Sequence, residues 1–392
     1  MKVLSVNAGS SSLKFQLFEM PEETSLVSGL FERIGIDGQY TIKLNGEKIK
    51  KEVALPDHVK AVEILLEELI NLGVVSNLDE IEAIGHRLVH GSDKYSDSVV
   101  ITEEVMKDID VFKELAPLHN PANLLGVEAF KKELPNVTQV GVWDTAFHQT
   151  MEPENYLYPV PYEWYTKYGV RKYGFHGTSH KYLSIEIAKL LGREDLKVIT
   201  CHLGNGGSIA AIRDGKCVDT TMGFTPLAGI MMGTRCGDID ESLIPYVMKK
   251  ENKDIDAILN DLNKNSGMLG ISGISSDSRE IEDGIAAGNE RCILAQNMYV
   301  RRVVNFVSAY NTLLGGADVI VFAGGIGENS IDTRRDVLTA LEPIGVKLDE
   351  ERNQVRGEVR KISTDDSKIA AYVIPTDEEV MIARDAYELS NN

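Results

Sequence analysis

Residues 2–18 read KVLSVNAGSSSLKFQLF, and residues 197–218 read KVITCHLGNGGSIAAIRDGKCV. Each stretch starts as an apolar strand, bends through Gly, Asn and Ser, and leaves as a second strand. In the first copy Leu13, Phe15 and Leu17 alternate with polar residues, the period of a half-buried strand. The second copy continues through RDGK into a further hairpin. A third glycine-rich bend, in ADVIVFAGGIGENS (317–330), follows an apolar strand and leads into a helix. Two strand–bend–strand units in one chain predict a duplicated α/β fold that holds one ligand between its halves.

Each bend has a plain reading as an ordinary turn, since Gly, Asn and Ser are common turn residues. The alternative is an anion cradle. Small residues let backbone N–H groups approach a phosphate, hydroxyls add donors, and Lys14 adds a full charge. The pairing of NAGSSS with HLGNGGS favours the cradle. In GGIGENS, Ser330 stands where a dinucleotide fingerprint has its last glycine, and the motif lies far from the N-terminus. Its glycines are therefore expected to let a flat base or sugar lie against backbone.

The 392-residue chain is longer than one core usually supports, so two domains are expected. It is 43% apolar and 26% charged, as soluble globular proteins are. No apolar run approaches the length of a membrane span, and MKVLSVNAGSS lacks the pattern of a signal peptide. The net charge of −19 argues against nucleic acid or an anionic membrane as partner. It also means that an anionic substrate needs a local cationic pocket. Four scattered cysteines, without a C-x-x-C pair, are expected to be free thiols, each a small buried filler, in a reducing, cytoplasmic setting. Helical periodicity is expected over 58–73, 179–192 and 291–315, with Gly73, Gly192 and Gly315 at C-terminal caps.

Arg87 follows a strand in AIGHRLVHG, and Arg235 sits in the loop MMGTRCGDIDES. In an acidic protein, arginines among short loop residues fit an anion clamp. Asp144 ends a strand in VGVWDTAFH. Asp377, Glu378 and Glu379 in YVIPTDEEV fit either an acidic N-cap or a Mg²⁺ site. The spacing H-x-x-x-H in HRLVHG and HGTSH lacks the Glu of a zinc protease helix, so His86, His90 and His180 are expected to be hydrogen-bonded residues. No Walker A loop and no protein-kinase signature occurs. SSLK matches the serine acyl-enzyme motif in form only, because Lys14 falls on a strand and K-T-G is missing.

VNAGSSSLKF, GHRLVHG, LHNPAN, WDTAFHQTM, YGFHGTSH, HLGNGGS, MMGTRCGD, GGIGENS and IPTDEE follow one another from end to end. In this set and order the chain resembles the acetate kinase family. The resemblance implies the fold of sugar kinases, actin and heat-shock ATPases: duplicated ribonuclease-H-like domains, mixed sheets flanked by helices, and ATP in the interdomain cleft. It implies one domain over 1–148 plus 377–392 and a nucleotide-binding domain over 149–376. It implies reversible transfer from ATP to acetate, giving acetyl phosphate and ADP, with propionate as a secondary substrate, Mg²⁺ (or Mn²⁺) as cofactor and a homodimeric assembly.

Site residues follow by position. Asn7 and Glu378 would hold the metal, and Ser10, Ser12 and Lys14 would face phosphates. Arg87 would bind the carboxylate, Asp144 would be the catalytic aspartate, and His176 and Arg235 would stabilise the phosphoryl group in flight. His202, Leu203, Gly204, Asn205, Gly206, Asp277, Ser278, Arg279, Gly325, Ile326, Gly327, Glu328 and Asn329 would bind ATP. Val89, Leu118, Phe175 and Pro226 would line a methyl pocket. Trp143 and the missing proline in GDIDES depart from the family pattern without touching these residues. A partner-driven ATPase and, more distantly, a serine acyl hydrolase are the competing classes.

Overall fold

The computed structural model describes residues 1–391. The chain divides into two units, one of Met1–Phe147 with Asp377 onward, the other of His148–Thr376.

The first unit is built on eight strands: β1 (Lys2–Ala8), β2 (Ser12–Glu19), β3 (Thr24–Glu32), β4 (Gln39–Leu44), β5 (Glu47–Glu52), β6 (Ile81–Leu88), β7 (Val99–Val100) and β8 (Thr138–Trp143). Their order is β5-β4-β3-β2-β1-β6-β8-β7. β1, β2 and β3 pair antiparallel, whereas β6 lies parallel to β1 and β8 parallel to β6. The expected alternation holds in β2. Leu13, Phe15 and Leu17 are fully buried, and they share a core with Ala61, Leu65 and Leu69 of the helix His58–Asn71. The C-terminal helix Glu378–Ser390 packs its Ile382 against Gly85 of β6, where an added Cβ would lie 2.5 Å from that side chain.

The second unit has β9 (Lys197–Leu203), β10 (Gly207–Arg213), β11 (Lys216–Thr220), β12 (Val319–Ala323), β13 (Arg360–Lys361) and β14 (Ala370–Val373), in the order β11-β10-β9-β12-β14-β13. β9, β10 and β11 pair antiparallel, β12 runs parallel to β9, and β14 parallel to β12. This is the pattern of β1, β2, β3, β6 and β8, so the repeat read from the sequence extends to sheet topology. β12 is buried along its whole length, as a central parallel strand should be.

The three expected helices occur as His58–Asn71, Gly177–Leu191 and Glu290–Leu313. Gly73, Gly192 and Gly315 all adopt positive φ just past them, where a left-handed residue closes the last turn. The four cysteines are free; Cys236 alone among them is half-buried rather than buried, so it is not the enclosed filler expected.

Candidate active site

In the first unit the bend between β1 and β2 is short, with Gly9 N donating to Ser12 O at 2.9 Å. Asn7 ends up opposite Lys14 in the pairing of β1 with β2. The bend is pinned from two sides. His58 Nε2 lies 2.7 Å from Gly9 O, and Asn123 Nδ2 donates to Ala8 O at 2.9 Å. The same Asn123 accepts from Val89 N through Oδ1 at 3.0 Å, and Asn120 bonds both backbone groups of His90. These asparagines, from LHNPAN, tie the serine-rich bend to the segment that follows Arg87.

Arg87 donates from Nη2 to Asp144 Oδ2 at 3.2 Å, and its Nε lies 3.9 Å from Glu378 Oε2. Burial works against its charge, but Asp144, Glu378 and Glu379 outweigh it and hold the guanidinium in its protonated form. Asp144 is 1% exposed. The Glu378 carboxyl is pushed up to about 7, first by burial and then by Asp144 and Glu379, with Arg87 opposing. Lys14 pairs with Glu379. Val89 is buried, whereas Leu118 is 75% exposed, an apolar side chain open to contact.

A hard cation fits these residues. The half-buried carboxyl of Glu378 has Asp144 and Glu379 as like-charged neighbours, which a divalent ion would offset, and Asn7 supplies a neutral oxygen. Among the described residues no group of three or more His, Cys, Asp or Glu is arranged to hold a metal by itself. That donor set suits Mg²⁺, which keeps much of its water and needs one or two carboxylates plus substrate phosphates.

In the second unit His176 caps the helix Gly177–Leu191 with φ +57°, a left-handed conformation uncommon outside glycine. Its ring stacks on His202 with centroids 4.3 Å apart. His176 Nδ1 lies 2.9 Å from Ser208 Oγ, so β10 fixes the ring from below. His148 Nε2–H donates to Phe175 O at 2.9 Å and holds the preceding backbone, while its Nδ1 faces the Cys217 thiol at 3.2 Å. Burial pushes that thiol well up, which keeps it protonated and able to donate.

The bend Gly204–Gly206 turns tightly, with Gly204 N donating to Gly206 O at 3.0 Å. It docks on the arginine loop, where Gly233 N donates to Asn205 O at 2.9 Å. A side chain at Gly233 would collide with Asn205 Oδ1. A Cβ at Gly206 would lie 3.3 Å from Arg235 Nη1 and 3.7 Å from His176 Cε1. The glycine therefore leaves open a surface on which a guanidinium and an imidazole converge. Arg235 is half-buried, its Nη1 donating to Pro226 O at 3.3 Å, and burial lowers its affinity for the proton.

Next to this surface is a cavity of about 620 Å³ lined by Gly204, Asn205, Asp277, Ser278, Arg279, Gly325, Ile326 and Asn329. Those are eight of the positions assigned to ATP from the sequence. The helix Gly324–Asn329 opens at Gly324, where φ is +74° and an added Cβ would lie 2.7 Å from Leu203 O. Asp277 caps the helix Ser278–Ala286 and is held down to about 2 by Arg279. His202, Leu203, Gly206, Gly327 and Glu328 do not line the cavity. Leu203 and Gly327 are buried, and the Glu328 carboxylate accepts from Gly324 N at 2.8 Å and Thr376 N at 3.1 Å. Glu328 thus braces the glycine helix rather than facing the space.

Ser276, Glu282, Ser330 and Arg356 also line the cavity and were not read from the sequence. Ser276 adjoins the DSR segment, and a search of its neighbours would have found it. Arg356, in NQVRGEVRK, carries no local signal. It reaches the cavity through its bond to Asn329 O.

The Acetokinase family model matches residues 2–384. An acetate kinase of Geobacillus sp. (strain WCH70) is 56% identical over 393 residues, covering 100% of this chain and 99% of that protein. The crystal structure of Porphyromonas gingivalis acetate kinase superposes with a TM-score of 0.96 at 48% identity, covering 99% of each chain. A propionate kinase from Francisella tularensis gives a TM-score of 0.93 at 40% identity, again over 99% of each chain.

Proposed function

The chain belongs to the acetokinase family, and from that premise we propose that it transfers a phosphoryl group from ATP to acetate, giving acetyl phosphate and ADP. The observation that carries this reading is the half-buried Arg235 beside His176 and the Gly204–Gly206 bend, next to a cavity of nucleotide size.

Acetate is ionised at pH 7, since carboxylates titrate near 4–5. No base is needed to activate it. The barrier is the repulsion between an anionic nucleophile and an anionic phosphate, so the protein must supply position and positive charge. Arg87 receives the carboxylate. Asp144, already engaged with Arg87 Nη2, orients that guanidinium rather than removing a proton. Arg235 and His176 donate to the equatorial oxygens of the phosphoryl group in an in-line transfer. Ser10, Ser12 and Lys14 face the phosphates, and the cavity in the second unit takes the nucleoside. Mg²⁺, or Mn²⁺ in its place, would be held by Asn7 and Glu378, partly through water, and would offset phosphate charge.

Val89, Leu118, Phe175 and Pro226 supply the apolar contacts for the methyl group. One methylene in such a pocket is worth about 1–3 kcal/mol. Propionate is accordingly a secondary substrate, in keeping with the likeness to a propionate kinase. The working form is a homodimer in a reducing, cytoplasmic setting, which suits four free cysteines. Among the described residues no helix is long and apolar enough to cross a membrane.

Incubation with Mg-ATP, acetate and hydroxylamine tests the reading. Acetohydroxamate should form in step with ADP and only when acetate is present. ADP without hydroxamate would replace the kinase with an ATPase, and neither product would reject nucleotide chemistry at this site.

A further inference from the structure

His176 Nδ1 is 2.9 Å from Ser208 Oγ, and the same oxygen is 2.7 Å from His180 Nε2. His180 Nδ1 is in turn 2.7 Å from Thr200 Oγ1. Ser208, His180 and Thr200 are each 0% exposed. Four side chains, from β9, β10, the helix Gly177–Leu191 and the residue that caps it, therefore form one chain of hydrogen bonds, Thr200–His180–Ser208–His176.

Such a chain has a direction, because each hydroxyl has one proton to give and a neutral imidazole has one N–H. Burial, with His148 and His202 nearby, drives His180 well below its ordinary value, so it is neutral. If the chain ran outward from His176, its Nδ1–H would donate to Ser208, Ser208 to His180 Nε2, and His180 Nδ1–H to Thr200. The Thr200 hydroxyl proton would then need another acceptor, and among the described residues its side-chain oxygen bonds His180 alone. A buried O–H without a partner is costly. Run the other way, every proton is used. Thr200 donates to His180 Nδ1, His180 Nε2–H donates to Ser208, and Ser208 donates to His176 Nδ1. The proton on His176 then sits on Nε2, the nitrogen that lies 3.8 Å from the Cβ position of Gly206.

We propose that Thr200 is a positioning residue for phosphoryl transfer, acting through His180 and Ser208 to hold His176 as the neutral tautomer that carries its proton on Nε2. The proposal rests on the reading that His176 serves the reaction. Protonating His176 would place a hydrogen on Nδ1, facing the Ser208 hydroxyl, and would strand a buried proton somewhere in the chain. The chain therefore opposes imidazolium formation as well as the wrong tautomer. The other titratable or charged groups at the ring include His202, stacked on it, and Arg235 across Gly206.

The test is ¹⁵N NMR of histidine-labelled full-length protein, with steady-state kinetics on the same samples. Wild type should show a protonated Nε2 and an acceptor Nδ1 at His176. Thr200→Val keeps the shape of the side chain and removes the hydroxyl. It should give averaged nitrogen shifts at His176, raise the pH at which that ring protonates by on the order of one unit, and lower kcat about fivefold with little change in KM. Thr200→Ser should restore all three. A wild-type His176 protonated on Nδ1 would overturn the proposal without any variant, and so would unchanged His176 shifts in Thr200→Val. A tautomer that responds as expected while kcat stays at the wild-type value would uphold the hydrogen-bond chain and refute the catalytic use of His176.

Discussion

Arg235 illustrates how a single residue answers a charge problem set by the whole composition. The protein carries −19 and is proposed to act on two anions. Arg235 is half-buried, burial lowers its affinity for the proton, and among the described residues no acidic neighbour offsets this. Its Nη1 contacts a carbonyl and a thioether, Pro226 O and Met232 Sδ. A guanidinium in that setting is poised for an incoming anion. By analogy with a lost oxyanion-hole donor, Arg235→Ala should lower kcat about 10²-fold or more while the fold survives. Turnover near the wild-type rate would remove the main electrostatic assignment. The sequence made Arg235 legible because it stands among glycines in a loop. Arg356, in a stretch without such punctuation, became visible only when the chain brought it to Asn329.

At the scale of elements, the bends after β1 and β9 work because other elements hold them still. Asn123 is the clearest case, since one amide bonds Ala8 O at the end of β1 and Val89 N beyond β6. Asn123→Ala would leave two buried backbone groups without their partner. A loss of about 2 kcal/mol or more is expected, read as a lower urea midpoint. An unchanged midpoint would show that the strut is dispensable. The strands and helices around these bends were readable from local periodicity and from the glycines past the helix ends. The strut was not, because LHNPAN gives no local hint that Asn123 reaches over 115 and 34 residues in sequence. Glu328 is a similar case: GGIGENS marks a ligand loop, yet only the folded chain turns that carboxylate onto Gly324 N.

At the scale of the whole molecule, the duplication read from two strand–bend–strand stretches extends to both sheets, where β3-β2-β1-β6-β8 and β11-β10-β9-β12-β14 share one order and one sense. The parallel partners β6, β8, β12 and β14 could not be paired from the sequence, because long-range pairing leaves no local signature. Folding also buries groups that tie stability to pH. His86 lies in the first unit and is 2% exposed. With the Gln139 amide turned so that its nitrogen donates, His86 Nε2 accepts at 2.7 Å and Gln139 Oε1 accepts from Lys131 N. Burial lowers His86 from 6.5 to about 4. The sign follows from linkage. Its contribution is fully present above pH 6.5 and is lost as pH falls toward 4, because the unfolded chain takes up a proton that the folded one refuses. Replacing His86 by Leu should reduce the loss of stability between pH 7 and pH 5 by about 2 kcal/mol, whatever its cost at pH 7. Identical pH slopes in urea denaturation would refute this.

In the proposed reaction an acetate oxygen attacks phosphorus directly, with arginines and His176 offsetting the clash of two negative charges. Acetate labelled with ¹⁸O at both oxygens, incubated with Mg-ATP and the protein, tests it by the isotope shift in the ³¹P spectrum of acetyl phosphate. One ¹⁸O bonded to phosphorus is expected in every product molecule. Acetyl phosphate with only ¹⁶O on phosphorus would mean that the bond forms at the acyl carbon instead, and would contradict the account.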